Sequence, residues 1–336
     1  MGHATRCVPL ARYLIDQGAE VIFIAGRGNE AYLKKEFPNC QVHVIEGYEP
    51  KYGRRNGLLH WIGQASDIKD SIEHEKMRFD GWLDKIEVDA IISDNRYGIF
   101  SEAIPSAIIT HQLNLQVGLL SPLANKRISN YLTAFDHVWI PDVQGKEALS
   151  GKLSKTENKQ TKFLGPLSRW AGYEGRMREK DYDVLAIVSG PENQRTYFEE
   201  KLNEVLEQTE MKAWIVCGQA HLDFDTTKGN LRMTSHLGGD DLVRAIQSSE
   251  QLICRAGYSS IMDMVAIGRR PLLIPTDGQP EQEYLASHAS KNLGFESCLL
   301  KELSAERLVG HRESNVSAAY DFRGFQIVVD EFLSGL

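Results

Sequence analysis

The residues that decide the fold are Cys254–Ala286, CRAGYSSIMDMVAIGRRPLLIPTDGQPEQEYLA. A short apolar run over 251–254 predicts a strand, and a tight turn follows it. Apolar residues then recur at helical spacing over 258–267, a second apolar run over 271–275 predicts another strand, and a polar loop opens a helix over 281–292. Strands and helices that alternate in this way predict an α/β unit with a parallel sheet.

A glycine and small hydroxyl residues lie at the start of the first of these helices, as Gly257, Ser259 and Ser260. Free N–H groups and the positive end of the helix dipole make such a start an anion site, and no bulky side chain blocks it. Asp263, one turn further on, can accept hydrogen bonds from a ribose diol. Together these residues predict a nucleotide-diphosphate site.

This stretch resembles the donor-binding motif of GT-B glycosyltransferases of the MurG-like group, glycosyltransferase family 28. In that group a Ser-Arg-Ala-Gly turn precedes a helix that carries a ribose-binding acid, and a glutamine-rich loop follows. Here Cys254 replaces the serine, Asp263 replaces a glutamate and Glu283 replaces a glutamine that holds the donor sugar, which leaves the identity of the sugar open. The resemblance assigns to the nucleotide sugar the residues Arg255, Gly257, Ser259, Ser260, Asp263, Gln279, Gln282 and Glu283.

The resemblance implies an α/β fold of the GT-B type, with two Rossmann-like, doubly wound domains facing a cleft. We expect an N-terminal acceptor-side domain over 1–167, a C-terminal nucleotide-sugar-binding domain over 168–318, and a helix over 319–336 that crosses back to the N-terminal domain. Strands are predicted over 20–25, 41–45, 89–93, 106–110, 137–140, 184–188, 212–217, 231–234, 251–254 and 271–275. Helices are predicted over 4–17, 29–36, 65–86, 122–134, 196–208, 240–248, 258–267, 281–292 and 319–333.

The chain opens directly in a Gly-His turn, Gly2-His3, and an amphipathic helix. Such turns normally follow a strand, and in the resembling family a strand and a glycine loop come first. We therefore expect the N-terminal domain to lack its first strand, with Met1 an internal or misassigned start; a natural short N-terminus is the alternative. The pattern GHATRC over 2–7 also resembles a set of uncharacterised bacterial glycosyltransferases, and it is close to nucleotide-sugar hydrolases of pseudaminic acid synthesis.

Three residues are candidates for catalysis: His3, Asp94 and His111. The resemblance implies that His3 faces the cleft as general base, since histidine titrates in the right range; the alternative is a histidine in a disordered terminus. Asp94, with Asn95 and Arg96 beside it, and His111 follow neighbouring strands, at the sheet edge where α/β ligands bind. The alternative is a strand-end turn with a helix cap. Asp94 could orient either histidine.

A second loop of the donor domain, SGPENQR over 189–195, follows a strand and opens a helix. From the resemblance we expect Ser189, Gly190, Gln194 and Arg195 to meet the diphosphate or the base, with the Arg195 fork suited to phosphate oxygens. A plain loop with a capped helix is the alternative. His236 lies in a loop where this fold contacts the nucleobase.

The stretch YEPKYGRRNGLLHW over 48–61 places basic residues beside leucines and a tryptophan. That composition suits an anionic membrane surface or a lipid-linked acceptor, so the stretch is a candidate for peripheral membrane contact. The alternative, which we favour slightly, is a solvated loop whose Leu58, Leu59 and Trp61 fold into the core.

Net charge, cysteine spacing and the length of apolar runs limit the class of protein to which this chain can belong. A net charge of −8 argues against nucleic acid as a partner. The five cysteines are widely spaced and form no CxxC pair, which favours reduced thiols over disulfides or a zinc site. No apolar run reaches transmembrane length. We expect a cytoplasmic protein, with the inner face of the membrane as the site of any peripheral contact.

The combined prediction is a glycosyltransferase, hexosyl- or N-acetylhexosaminyl-transferring, that moves a sugar from a nucleotide diphosphate donor, expected to be a UDP-sugar, to an unidentified acceptor. We expect no cofactor and no metal, because no Asp-x-Asp motif lies beside a nucleotide turn. The MurG resemblance implies inversion by direct displacement. Two alternatives remain open: a nucleotide-sugar hydrolase on the same scaffold, and a non-catalytic sugar-nucleotide-binding protein.

Overall fold

A computed structural model describes residues 2–47, 58–116, 118, 121–156, 158, 161–173, 179–219, 222–311 and 320–336, with the side chains of 58–66 excepted. The helices are α1 Gly2–Asp16, α2 Arg27–Glu36, α3 Leu58–Leu83, α4 Ser121–Leu132, α5 Glu192–Leu206, α6 Gly239–Gln247, α7 Tyr258–Ala266, α8 Pro280–Asn292, α9 Ala305–Gly310 and α10 Phe325–Leu333. The strands are β1 Ile22–Ala25, β2 Gln41–Val44, β3 Ile91–Asp94, β4 Ser106–Ile109, β5 His137–Ile140, β6 Thr161–Phe163, β7 Tyr182–Ile187, β8 Ala213–Val216, β9 Asp225–Lys228, β10 Leu231–Thr234, β11 Ser249–Arg255, β12 Leu272–Ile274 and β13 Glu296–Ser297.

The chain divides into two compact units. The N-terminal unit comprises 1–171 with 320–336, and the C-terminal unit comprises 172–319. The first unit therefore includes α10, the last helix of the chain. None of the described helices is both long and apolar enough to cross a membrane.

The N-terminal unit contains two parallel sheets, one of β1 and β2 and one in the order β3-β4-β5-β6. Apolar side chains of α1 and α10 pack against the second sheet. Trp139 of β5 and Val329 of α10 are both fully buried in this cluster. Strand β6 is not among the predicted strands, because it is only three residues long and follows a segment rich in lysines and serines.

The C-terminal unit is built on one sheet in the order β13-β12-β11-β7-β8-β10-β9, in which only β9 is antiparallel to its neighbour. Strands β7 and β11 are neighbours at its centre and are covered by apolar residues of α5, including the fully buried Phe198 and Leu202. All four residues of β9 are exposed and polar, so this edge strand carries no apolar signal that sequence reasoning could detect.

The remaining differences between the predicted and the observed elements concern the starts of two helices and two short elements. Helix α3 begins at Leu58 where the pattern predicts 65, and α10 begins at Phe325 where it predicts 319. Helix α9 and strand β13 were not predicted, since both are short. The stretch 48–57 lies outside the described residues, as do the side chains of 58–61. Peripheral membrane contact through 48–61 therefore stays a prediction.

Candidate functional site

Four polar side chains meet in the N-terminal unit. His3 and Arg6 come from the first two turns of α1, Asp94 is the last residue of β3, and His111 lies two residues beyond β4. Strands β3 and β4 are parallel neighbours, so their carboxyl ends lie at the same sheet edge. The structure thus brings together all three residues that the sequence predicts to be catalytic.

Arg6 and Asp94 form the centre of this cluster. The Arg6 Nε donates to both carboxylate oxygens of Asp94, at 2.9 Å and 3.0 Å, and Nη2 also contacts Oδ1. The Arg6 side chain is 2% exposed and that of Asp94 is 10% exposed. Burial raises the pKa of Asp94, but the charges and hydrogen bonds of Arg6 and His3 outweigh it and hold that pKa well below its usual range. Asp94 is therefore ionised at neutral pH.

His3 is the accessible member of the cluster. Its Nδ1 lies 3.3 Å from Asp94 Oδ2 and 3.0 Å from Arg6 Nη2, and 53% of its side chain is exposed. When Nδ1 carries the proton and donates it to the ionised Asp94, Nε2 has a lone pair and can act as a base. Arg6 is a donor only and favours a bare Nδ1, so Asp94 and Arg6 favour opposite protonation states of this nitrogen.

His111 is placed differently. It is 2% exposed, and its Nδ1 lies 3.3 Å from Arg6 Nη1. Asp94 contacts His3 and can orient its ring, whereas His111 contacts the Nη1 group of Arg6. A substrate hydroxyl can reach His3 more readily than His111, which favours His3 as the base.

Arg6 and Cys7 are site residues that are not predicted individually, since they stand out in the sequence only as parts of GHATRC. Cys7 Sγ donates to Asp94 Oδ2 at 3.4 Å, and burial together with the charge of Asp94 raises the pKa of this thiol well above its usual value. The thiol therefore stays protonated and acts as a donor. The spacing of Arg6 could have identified it as a site residue, because residues three apart on a helix share a face and Arg6 follows His3 by three positions.

The loop after β3 is held by its own polar residues. Asn95 has φ 55°, in the left-handed region that asparagine tolerates, and Thr110 Oγ1 donates to its Oδ1 at 2.9 Å. The Arg96 Nε donates to Glu75 Oε1 at 2.9 Å and its Nη1 donates to the Ile24 carbonyl at 3.2 Å. The contacts of Arg96 are thus those of a residue that builds the sheet edge.

The C-terminal unit places two helix starts side by side. Helix α5 follows β7 and α7 follows β11, and these strands are adjacent and parallel. Neither helix start has a side-chain cap hydrogen bond. Gly190, in the first of the two loops, has φ 117°, which a side chain would strain. The two positive dipole ends therefore lie at neighbouring strand ends, as an anion site requires.

Arg255 connects the loops around these helix starts. It is 3% exposed, and it donates to the Pro275 carbonyl at 3.1 Å and to the Gln194 carbonyl at 2.9 Å. Its guanidinium also lies 4.1 Å from the centre of the Phe198 ring. Burial lowers the pKa of Arg255 to about 10, so it still carries its charge at neutral pH. These contacts fix the geometry of the turn between β11 and α7 and hold a positive charge beside it.

Arg195 has a similar environment. It is 5% exposed, donates to the Cys217 carbonyl at 3.1 Å and pairs with Glu192. Its neighbour Gly218 has φ 66°, and a Cβ there would lie 2.4 Å from the Val188 carbonyl oxygen. Gly218 was not predicted as a site residue, although a glycine just beyond a buried strand is a recognisable signal of close backbone approach.

The glutamine-rich loop is shaped by the residues that follow it. Gln282 Oε1 accepts from the Thr276 amide at 2.9 Å, and Glu283 Oε1 accepts from the Gly278 amide at 2.9 Å. The Gln282 contact uses the carbonyl oxygen, so its NH2 group is the part suited to donate to a ligand. Gln279 caps helix α8 through its backbone position.

The remaining predicted donor residues lie around the same strand ends. Asp263 is in the second turn of α7 and is 7% exposed, Ser259 and Ser260 are half-buried in its first turn, and His236 is half-buried two residues beyond β10. Ser189 is exposed and Gln194 is half-buried. Their contacts with a nucleotide stay predictions.

A protein-family comparison matches residues 193–314 to the model described as the glycosyltransferase family 28 C-terminal domain. The match begins inside α5 and extends through α9, so it includes the start of α7 and the loop before α8 but not the start of α5. Most of the C-terminal unit is therefore similar to the C-terminal domain of family 28 glycosyltransferases.

Two curated proteins illustrate the sequence relatives. The UDP-N-acetylglucosamine–N-acetylmuramyl-(pentapeptide) pyrophosphoryl-undecaprenol N-acetylglucosamine transferase of Pasteurella multocida (strain Pm70) is 23% identical, over 92% of this chain and 84% of its own. An uncharacterized glycosyltransferase of Methanosarcina mazei is 24% identical, over 85% of this chain and 80% of its own.

Solved structures show the same architecture. Acinetobacter baumannii MurG superposes with a TM-score of 0.52 at 15% identity, over 99% of this chain and 89% of that one. The spinosyn rhamnosyltransferase SpnG, complexed with thymidine diphosphate, superposes with a TM-score of 0.59 at 14% identity, over 99% and 89% of the two chains. The expected GT-B fold and the expected MurG-like resemblance are confirmed.

Proposed function

We propose that this chain, a MurG-like glycosyltransferase of the GT-B fold whose C-terminal unit is similar to the family 28 C-terminal domain, transfers a sugar from a UDP-linked donor to an acceptor hydroxyl without a metal ion. The observation that carries the proposal is the pair of adjacent helix starts, α5 and α7, with Asp263 one turn inside α7. Two relatives support the donor class, since the Pasteurella multocida enzyme is named for UDP-N-acetylglucosamine and the SpnG structure contains thymidine diphosphate.

In this proposal the C-terminal unit binds the donor. The diphosphate lies at the starts of α5 and α7, where N–H groups and dipoles favour negative charge. Asp263 accepts hydrogen bonds from the ribose hydroxyls, and the NH2 of Gln282 donates to the sugar. Because the donors of Arg195 and Arg255 contact backbone carbonyls, we assign these arginines to holding the loops and to supplying positive charge beneath them.

The N-terminal unit supplies the base. His3 Nε2 removes the proton of the acceptor hydroxyl while the ionised Asp94 holds Nδ1–H. The acceptor oxygen forms a bond to the anomeric carbon, the bond from that carbon to the phosphate oxygen breaks, and the electron pair leaves with UDP. The starts of α5 and α7 stabilise the charge that develops on the leaving phosphate. A single displacement of this kind inverts the anomeric configuration.

The donor half of the proposal is tested by titration of UDP into the full chain by calorimetry, in buffer that contains EDTA. We expect binding at one site, with UDP-sugars competing for it. A chain that binds no nucleoside diphosphate under these conditions would exclude the donor assignment.

Replacement of Asp263 by alanine should weaken UDP binding by roughly 10- to 150-fold, because a hydrogen bond to a charged group contributes about 1.5–3 kcal/mol. Asp263→Asn keeps the volume of this 7%-exposed side chain and separates loss of charge from loss of packing. Glu204→Ala, on the exposed surface of α5, is the matched control. An Asp263→Ala protein that folds and retains the UDP affinity of the control would show that Asp263 does not hold the ribose.

A further inference from the structure

The C-terminal unit contains a pocket of about 540 Å³ at the amino ends of its strands, a volume typical of small-molecule sites. Tyr182, in its wall, is the first residue of β7, and Lys212 directly precedes β8. Helices α5 and α7 instead begin beyond the carboxyl ends of β7 and β11. Because β7 is six residues long, the two regions lie about 20 Å apart along the strand. The pocket is therefore separate from the proposed donor site.

The pocket lies between α6 and the sheet. Its helix side is formed by residues that recur three or four positions apart and so share one face, namely Leu237, Asp241, Ala245 and Ser248. Ala245 and Ser248 are buried and small. Their short side chains leave the space between helix and strands that the pocket occupies.

A flat platform forms the sheet side of the pocket. The ring centres of Tyr182 and Trp214 are 5.1 Å apart, and the Arg232 guanidinium lies 4.1 Å from the centre of the Trp214 ring. Trp214 is 7% exposed, whereas 31% of the Arg232 side chain is exposed. The guanidinium thus covers the indole, and its outer face borders the pocket.

Three hydrogen bonds hold the Arg232 guanidinium in this plane. Its Nε and Nη2 donate to the two carboxylate oxygens of Asp225, at 2.9 Å and 2.6 Å. Its Nη1 donates to the Tyr182 hydroxyl at 3.1 Å. A bidentate carboxylate fixes the orientation of a guanidinium and compensates its charge. What Arg232 chiefly offers to a ligand is therefore its flat outer face.

The backbone at the start of β7 turns Tyr182 toward this platform. The Lys212 carbonyl accepts from both the Asp183 and the Val184 amides, at 2.8 Å and 3.4 Å, as in a β-bulge. Val184 packs in the core cluster that includes α5, and in a regular strand Tyr182, two residues earlier, would face the same side. Its ring instead contacts Trp214, which lies outside that cluster.

Charged groups of both signs surround the platform. The exposed ones are Asp181, Lys212, Asp241 and Arg244. Arg244 pairs with Asp241, and Lys212 Nζ lies 5.0 Å from the centre of the Tyr182 ring. The cations that already lie on both rings disfavour a cationic ligand, and the carboxylates disfavour a strongly anionic one. The rim suits a neutral ligand whose edge carries both hydrogen-bond donors and acceptors.

We propose that this pocket binds a purine nucleoside, with its base stacked on the outer face of the Arg232 guanidinium. Bases stack on guanidinium planes through their electron-rich faces. The Tyr182 ring, hydrogen-bonded to Arg232, extends the platform to the width of two fused rings. The amino group of adenine or guanine donates to the Asp181 or Asp241 carboxylate, and Lys212 donates to a ring nitrogen or carbonyl.

The test follows the indole N–H resonance of Trp214 in the full chain, grown with isotope-labelled tryptophan. The other four of the five tryptophans belong to the N-terminal unit, and Trp214→Phe identifies the resonance by its loss. Adenosine or guanosine should shift this resonance saturably and leave the other four unmoved. Excess UDP should not change the shift, and uridine, with one ring and no amino group, should bind at least tenfold more weakly.

Two variants locate the ligand. Arg232→Leu removes the stacking face and should weaken the affinity by about 5- to 150-fold, the usual effect of removing a stacking side chain from a base. Ala245→Leu fills the pocket and should abolish the shift while it leaves the contacts of Arg232 in place. Lys228→Leu is the matched control, since Lys228 is 92% exposed on β9, and it should bind as the unmodified chain does.

A Trp214 resonance that stays unmoved at millimolar adenosine and guanosine would overturn the proposal. Affinity in Arg232→Leu and Ala245→Leu equal to that of Lys228→Leu would place the ligand elsewhere, and displacement by UDP would place it in the donor site. Equal binding of L-phenylalanine would show that the pocket takes an aromatic side chain and not a base. Each of these results contradicts the assignment, and none of the measurements depends on sugar transfer.

Discussion

Replacement of His3 by alanine should lower kcat for sugar transfer by about 10²- to 10⁴-fold, the contribution typical of a general base. UDP affinity should be unchanged, because the proposed donor contacts belong to the C-terminal unit and His3 belongs to the other. The loss should therefore appear in kcat and not in the donor KM. Initial rates of UDP release across a range of donor concentrations measure both quantities.

His74→Ala is the matched control, since His74 is exposed on α3 and distant in sequence from the cluster. It should retain full turnover. If His3→Ala also retains full turnover, His3 is not the base, and the buried His111 or Asp94 becomes the better candidate.

Replacement of Arg6 by methionine should destabilise the N-terminal unit by about 3–5 kcal/mol, because it leaves the Asp94 carboxylate buried without its main cationic partner. The transition of this unit should fall by about 6–20 °C in a thermal melt. The double variant Arg6→Met with Asp94→Asn removes the uncompensated charge and should recover most of the loss.

The pH dependence of this variant has a defined sign. In the native protein the pKa of Asp94 is lowered, so its contribution to stability is present above the unfolded pKa of about 3.9 and is lost as the pH falls toward the folded pKa. Without Arg6, burial should raise the pKa of Asp94 above its unfolded value, and stability should then decrease as pH rises. The gap in Tm between the two proteins should widen from pH 4 to pH 7.

Arg12→Met on the same helix serves as the control, because Arg12 is 56% exposed and its pair with Glu36 should contribute no more than about 1 kcal/mol. If Arg6→Met melts together with Arg12→Met, the Arg6–Asp94 pair has no structural role.

The periodic elements of the fold were predictable because each has a local cause. The helix after Gly257 and the strands beside it follow from apolar spacing and from a glycine turn, and the structure places α7 at Tyr258–Ala266 within the predicted 258–267. Strand β9 was not predictable, since its four exposed polar residues form a strand only through pairing with β10.

Contacts between distant residues were the main limit for the site. Spacing alone placed Asp94 and His111 at one sheet edge, but it could not show that Asp94 contacts His3 and Arg6, which lie about ninety positions away. The resemblance assigned Arg195 to the diphosphate or the base, and Arg255 to the nucleotide sugar. The structure shows that their donors contact carbonyls at neighbouring strand ends, because a buried guanidinium needs acceptors wherever the fold places it. Their contact with the nucleotide sugar stays a prediction.

The central claim is that the chain transfers a sugar from a UDP donor. The most direct measurement follows both products of UDP-N-acetylglucosamine and UDP-glucose, labelled in the sugar, in the presence of EDTA and a bacterial lipid extract as acceptor source. We expect UDP and a labelled glycolipid in equal amounts, with His3→Ala forming both about 10²- to 10⁴-fold more slowly. Free sugar released in proportion to UDP would identify a hydrolase, and UDP-sugar that is bound but never cleaved would identify a binding protein; either result would contradict transfer.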